Sequence, residues 1–266
     1  MINLKAALLA ATLVLAGQDP SLFAGLAGDQ PKETIRSHRS AELSLAELTA
    51  KYPKLFYLRG NPVKRQIALT FDDAPDPRFT PQILDILKAR GVKATFFIVG
   101  SRAEKHPELV QRMIREGHSI GGHSYNHPDM SRLSDSRFHE QIEKTSSILT
   151  HIAGYRPNLV RPPYGEIRER QLLWLGQQGY YTVNWSADSL DWRNLKPGQV
   201  YANVMKSVGP GVIVLQHAGG GAGERLDGTI RALPRIIDEL QARSYKLVTI
   251  TQLLEIPDAK AEPVWE

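Results

Sequence analysis

The chain of 266 residues contains no cysteine. That excludes disulfides, thiolate nucleophiles, iron–sulfur clusters and lipid attachment to a leader cysteine, and it leaves any metal to histidine and carboxylate ligands. It does not fix the redox compartment, because exported proteins can dispense with disulfides. Internal repeats and low-complexity tracts are also absent. The net charge of +5 and the pI near 9.3 raise encounter rates with polyanions, such as an anionic cell envelope or nucleic acid. Lys and Arg are dispersed, however, with no basic run and no nucleic-acid-binding motif, so we read a solvated basic surface and no nucleic-acid partner. The apolar stretch from Ala6 to Gly17, broken by Thr12, is too short to cross a bilayer, which needs about 20 residues. With Lys5 ahead of it and the small residues Gly25-Leu26-Ala27 behind, it predicts a signal-peptide core. The expectation is export, to the medium or the cell envelope, with no stable membrane span after leader removal.

What remains is an ordinary globular composition, 42% hydrophobic and 23% charged. The length suits one catalytic domain with a leader. We divide the chain into a signal peptide or anchor (1–27), a spacer and N-terminal extension (28–64), a catalytic domain (65–256) and a C-terminal tail (257–266). Leu45 to Tyr52 reads as a short helix ended by Pro53. From Gln66 onward, strand-like and helix-like patterns alternate. Strands are expected at 66–71, 94–99, 159–160, 181–185, 211–216 and 246–250. Helices are expected at 81–90, 107–116, 134–152, 169–178, 198–207 and 227–243. Such alternation predicts an α/β fold with parallel core strands, and this many units point to an incomplete (β/α) barrel. The carboxyl ends of parallel strands form one rim, where residues distant in sequence converge.

Five segments fall at or just after those strand ends: Thr70-Phe71-Asp72-Asp73, His123-Ser124-Tyr125-Asn126-His127, Arg161-Pro162-Pro163-Tyr164-Gly165, Asp188-Ser189-Leu190-Asp191-Trp192 and Leu215-Gln216-His217. Strand alternation places Asp72 and Asp73 on opposite sides, and so offers one carboxylate as ligand and one as base. His123 and His127, spaced i, i+4, would present two imidazoles from one helical turn. With Asp73 they make a three-ligand site that leaves room for water or substrate, as catalytic zinc requires. The prolines after Arg161 stiffen a loop that can fix its guanidinium and aim a backbone N–H. Each segment alone has a bland reading: an Asp pair in a turn, surface histidines, a rigid turn, a buried core histidine.

Together and in order they resemble the polysaccharide deacetylases, the family 4 carbohydrate esterases built on the NodB-homology domain. The resemblance runs from about Arg65 to Leu254. It implies a distorted, incomplete (β/α) barrel and one divalent metal, usually zinc, that serves hydrolysis of N-acetyl or O-acetyl groups on glycans. By position it assigns Asp73, His123 and His127 to the metal, Asp72 to the catalytic base and His217 to the catalytic acid. Arg161 would orient the base and Asp191 tune the acid. Trp192 and Leu215 would wall the acetyl methyl, and Tyr164 would offer a backbone N–H to the oxyanion. Ala74 stands where the family usually has Gly, and a positive φ there would cost about 1 kcal/mol.

The activity expected is metal-dependent N-deacetylation of an acetylated glycan, peptidoglycan or a chitin-like polymer. The rivals are O-acetyl esterase action on xylan or a related glycan, and a non-catalytic glycan-binding module. The donor set favours zinc but also accepts cobalt, nickel or iron.

Overall fold

The computed structural model describes residues 43–221 and 223–259. The predicted leader, the first part of the spacer and the last seven residues of the chain lie outside them.

The elements are α1 (Leu45–Lys51), β1 (Phe56–Tyr57), β2 (Gln66–Ala74), α2 (Thr80–Ala89), β3 (Thr95–Ile98), α3 (Gly100–Lys105), α4 (Pro107–Arg115), β4 (Ser119–Gly122), α5 (Asp135–Ala153), β5 (Leu159–Val160), α6 (Glu169–Gln177), β6 (Tyr181–Val183), β7 (Ala187–Asp188), α7 (Pro197–Met205), β8 (Val212–His217), α8 (Asp227–Ala242), β9 (Lys246–Leu247) and α9 (Ile250–Leu254). The strands form one parallel sheet in the order β1-β6-β5-β4-β3-β2-β8-β7, with β9 also on β2. Among the described residues the path does not close from β7 back to β1, so the sheet is the curled, incomplete barrel that the alternation implied.

Period-2 alternation along β2 builds two cores. Ile67, Leu69 and Phe71 face outward into a large cluster with the helical residues Ile83, Leu87, Leu233 and Ile237. Along α8 the buried positions Thr229, Ala232, Leu233, Ile236, Ile237 and Leu240 recur every three to four residues, the spacing that keeps one helix face against a sheet. Ala68 faces inward with Phe97, Leu159, Val183, Ile213, Val248 and Leu253. Thr70 and Asp72 continue that inward face toward the strand's carboxyl end, as do Leu215 and His217 after Ile213.

The barrel interior is therefore apolar below and polar above. At the lower end Ile250 N–H donates to Thr95 Oγ1 at the start of β3, and Ile250 and Leu253 of α9 fill the interior cluster.

Most boundaries follow local chemistry. Ser134 caps α5, and Gly154, at φ 75°, ends it in the left-handed conformation that glycine adopts without penalty. The strand expected at 246–250 stops at Leu247, because Thr249 and Gln252 form a reciprocal capping box that starts α9. Residues 43–64, assigned to the spacer, supply α1 and β1. Leu48 and Phe56 are fully buried there against Leu172 and Leu175, and β1 pairs with β6. No helix among the described residues is long and apolar enough to cross a membrane.

Candidate metal and catalytic site

The register Asp72↔His217 between β2 and β8 sets these two residues side by side at the open rim. A cavity of about 660 Å³ opens over them. It is lined by Asp72, Asp73, His123, His127, Tyr164, Trp192, Leu215 and His217, and also by Arg102, Trp185, Asp188, Gly221 and Glu224. The fold thus gathers eight of the ten predicted site residues into one wall. Arg161 and Asp191 lie directly behind it, each hydrogen bonded to a residue that lines it.

Two local expectations need correction. Asp72 and Asp73 do not point to opposite sides of the sheet. The pairing with β3 shifts register between Phe71 and Ala74, and Asp73 adopts φ 62°, so a bulge turns both carboxylates to the cavity. The positive φ falls on Asp73 and not on Ala74, whose buried methyl packs in the outer core.

His123 and His127 do not sit on a helical turn either. They bracket the loop after β4, where Ser124 and His127 have φ of 61° and 62°. The two rings still meet, with centroids 5.0 Å apart.

Asp73, His123 and His127 each offer one ligand atom within 4.8 Å of the others. His127 Nε2 lies 3.2 Å and His123 Nε2 3.8 Å from Asp73 Oδ1. His123 Nδ1 is 2.7 Å from the Arg161 carbonyl, which can only accept; the proton is therefore on Nδ1, and the Nε2 lone pair faces Asp73. Burial is the largest influence on His123 and pushes its pKa down, which favours the neutral, ligating form. Asp73 Oδ1 is buried without a hydrogen-bond partner. A buried carboxylate oxygen left unsatisfied is costly, and a cation beside two imidazole lone pairs removes that cost. The donor set fits a divalent ion with two nitrogens and one oxygen, short of a closed tetrahedral shell.

Behind Asp72, Arg161 is fully buried and its donors are closely accounted for. Nη1 donates to Asp72 Oδ1 at 2.7 Å and to Thr70 Oγ1 at 2.8 Å, Nε to the Val183 carbonyl, and Nη2 to the Asn184 carbonyl. Its guanidinium carbon sits 4.1 Å from the centroid of the Phe97 ring. Burial pulls the Arg161 pKa down, opposed by Asp72. Phe97 belongs to the apolar interior, so this arginine joins that core to the polar rim.

On the other side, Asp191 Oδ1 meets His217 Nδ1 at 2.7 Å. Asp191 Oδ2 accepts from the His217 backbone N–H at 3.0 Å and from Thr229 Oγ1 at 2.6 Å. Burial opposes ionisation of Asp191, but His217 and these hydrogen bonds hold its carboxyl below the usual range. Burial likewise opposes a charged His217, and Asp191, aided by Asp72 and Asp73, overcomes it, raising that imidazole to about 9. Burial pushes Asp188, at the cavity wall, upward.

Tyr164 has φ 61° in the turn Pro163–Gly165. The residue is 63% exposed, and its ring packs edge-on to His127 with centroids 5.0 Å apart. Trp192 is 48% exposed.

Sequence reasoning missed Thr229, which anchors Asp191 from α8, and Arg102, Asp188 and Trp185 in the cavity wall. Asp188 lay inside a segment already singled out. No sequence signal marks Thr229 or Arg102, which act across long separations.

The polysaccharide deacetylase profile matches residues 59–183. A peptidoglycan-N-acetylglucosamine deacetylase of Bacillus cereus is 44% identical over 192 residues, covering 72% of this chain and 69% of that protein. A chitooligosaccharide deacetylase of Bradyrhizobium sp. is 35% identical over 198 residues, covering 71% and 90%. The chain spans only 40% of the peptidoglycan-N-acetylmuramic acid deacetylase PdaC of Bacillus subtilis, at 39% identity over 196 residues, 74% of this chain. The crystal structure of the Bc1960 peptidoglycan N-acetylglucosamine deacetylase superposes with a TM-score of 0.77 at 40% identity, covering 80% of this chain and 98% of that one. A match of this extent, with a shared fold, places the chain in the polysaccharide deacetylase family.

Proposed function

We propose that the chain is a zinc-dependent N-deacetylase of an exported or envelope-associated compartment, acting on N-acetylglucosamine residues of peptidoglycan. The observation that carries this reading is one cavity in which three candidate ligands, a braced second carboxylate and a histidine raised to about 9 converge. The relatives named for peptidoglycan support the polymer, and the chitooligosaccharide relative keeps chitin oligomers as the second candidate.

Asp73, His123 and His127 would hold a divalent cation, which would supply Lewis acidity toward an acetyl carbonyl and an attacking water. Asp72 takes the proton from that water as general base. Arg161 holds its carboxylate in one orientation, so little reorganisation is needed at the moment of transfer. The acetyl methyl sits against Leu215 and Trp192, and the Tyr164 backbone N–H faces the oxygen that becomes negative.

An amide nitrogen is a poor leaving group until protonated. His217, with its Nδ1–H on Asp191, gives its Nε2 proton to that nitrogen as the carbon–nitrogen bond breaks. Water and the acetamido group thus become acetate and a free amine. A histidine kept cationic to about pH 9 suits amide cleavage, whereas an alkoxide leaving group needs less help. This favours N-deacetylation over O-acetyl ester hydrolysis.

The test is acetate release from purified muropeptides, chitooligosaccharides and acetylxylan, with and without a chelator. The reading expects the loss of one acetyl group from muropeptides, abolished by EDTA and restored by zinc. Release confined to chitooligosaccharides would reassign the polymer, release confined to acetylxylan the bond type, and no release from any of them the enzyme class.

A further inference from the structure

The six-residue helix α3 touches the loops of all three candidate ligands. The N–H groups of Gly100 and Ser101 donate to the carbonyls of Ser124 and Tyr125, inside the loop between His123 and His127. From the next residue, Arg102 Nη1 donates to the backbone carbonyl of Asp73 at 3.0 Å, and Nη2 to the carbonyl of Gly220, in the glycine-rich loop after His217, at 3.0 Å. Nη1 also lies 3.3 Å from Oδ2 of Asp76, a carboxylate almost fully buried and bonded through both oxygens to Arg78.

Asp73 is a non-glycine residue held at φ 62°, a conformation that costs of order 1 kcal/mol or more and persists only where neighbours impose it. A charged donor on its carbonyl is such a neighbour. The space is equally specified: a Cβ on Gly219 would collide with both the Asp73 carbonyl oxygen and Arg102 Nη1.

We propose that Arg102 is a positioning residue for the cation site, fixing the strained Asp73 peptide so that its carboxylate stays aimed at His123 and His127. The inference rests on the metal reading above and adds the residue that tunes affinity. Groups that orient metal ligands from behind are typically worth about 10- to 100-fold in affinity. Arg102 bonds the Asp73 backbone and not its carboxylate, so its loss is read first in zinc affinity.

The experiment measures the zinc dissociation constant of the full chain by competition with a chromogenic chelator, alongside a thermal melt. Arg102→Met is expected to weaken zinc about tenfold or more, and Arg102→Lys, with one point donor, to recover part of that loss. The zinc concentration that gives half-maximal acetate release is expected to rise in parallel with the dissociation constant. Arg78→Met is the control. Arg78 holds Asp76 and the same Gly220 carbonyl but has no contact with Asp73, and its removal is expected to leave zinc affinity nearly unchanged. If Arg102→Met fails to fold, Arg102→Gln carries the test, because it also loses the charged donor on the Asp73 carbonyl and predicts the same weakening. Unchanged zinc affinity in a folded Arg102→Met protein overturns the proposal while leaving the metal site standing, as does an equal loss in Arg78→Met. A parent chain that binds no zinc overturns the metal reading itself, and this inference with it.

Discussion

Replacing Asp191 with asparagine tests how the acid is tuned. Asp191 is buried, and both of its oxygens are engaged by His217, through the ring and through the backbone N–H. An amide placed there removes the charge and sets an NH₂ against one of those two donors. With the carboxylate, His217 stays protonated to about 9; without it, burial is opposed only by Asp72 and Asp73, and the imidazole falls toward its ordinary 6.5. At pH 8 a full return to 6.5 would cut the protonated fraction from about nine-tenths to about 3%, so the loss in kcat/KM reaches up to roughly 30-fold. Near pH 6 the deficit shrinks toward the cost of a misoriented ring.

The same shift links to folding. The folded chain holds a proton on His217 that the unfolded chain releases above about 6.5, so this contribution is complete below that pH and is lost as pH rises through about 9. The assay is acetate release from pH 5 to 10 at saturating zinc, with imidazole NMR of His217 in parallel. Asp191→Asn protein whose His217 still titrates near 9, and whose alkaline limb is unmoved, would refute this assignment.

Three further outcomes follow from the same geometry. Asp72→Asn and His217→Ala should each lower turnover about 10²- to 10⁴-fold while zinc remains bound, read by acetate release and zinc analysis on one preparation; near-normal turnover in either would remove that role. Arg161→Met leaves the Asp72 carboxylate buried without its cation and should cost about 3–5 kcal/mol in denaturant unfolding, besides activity; a change below about 1 kcal/mol would mean that the pair is not buried as described. His123→Ala should abolish stoichiometric zinc binding and, with it, chelator-sensitive acetate release; retained zinc would place the ion elsewhere.

Much of the fold was legible because the signals are local and repetitive. The apolar run before His217, the Ser134 cap with Gly154, and the three-to-four-residue spacing in α8 each specify their element without help from distant residues. Five elements were not legible, β1, α3, β4, β7 and α9, and two of them show why. The helix α3 begins at Gly100 without a side-chain cap, and β4 is Ser-Ile-Gly-Gly, too short and too small to show alternation; Gly121 is fixed by Leu159 and Phe97, where no Cβ would fit.

At the site, which residues converge on one cavity was legible and their conformations were not. The rim rule brought Asp73, His123 and His127 together, but alternation and helical spacing both failed there. A bulge and three left-handed residues, Asp73, Ser124 and His127, replace regular geometry, and such conformations are imposed by tertiary contacts that sequence pattern does not encode. Arg102 was invisible for the same reason: its partners lie 26 to 118 residues away.

The central claim is that Asp73, His123 and His127 share one ion, and a crystal structure of the zinc-loaded protein with anomalous data at the zinc edge tests it most directly. The account predicts a single anomalous peak per chain, with Asp73 Oδ1, His123 Nε2 and a His127 ring nitrogen at about 2.0–2.2 Å and Asp72 outside the coordination sphere, bonded to Arg161. A peak bound by other residues, or a loaded protein in which these three side chains remain too far apart to touch one ion, would contradict it.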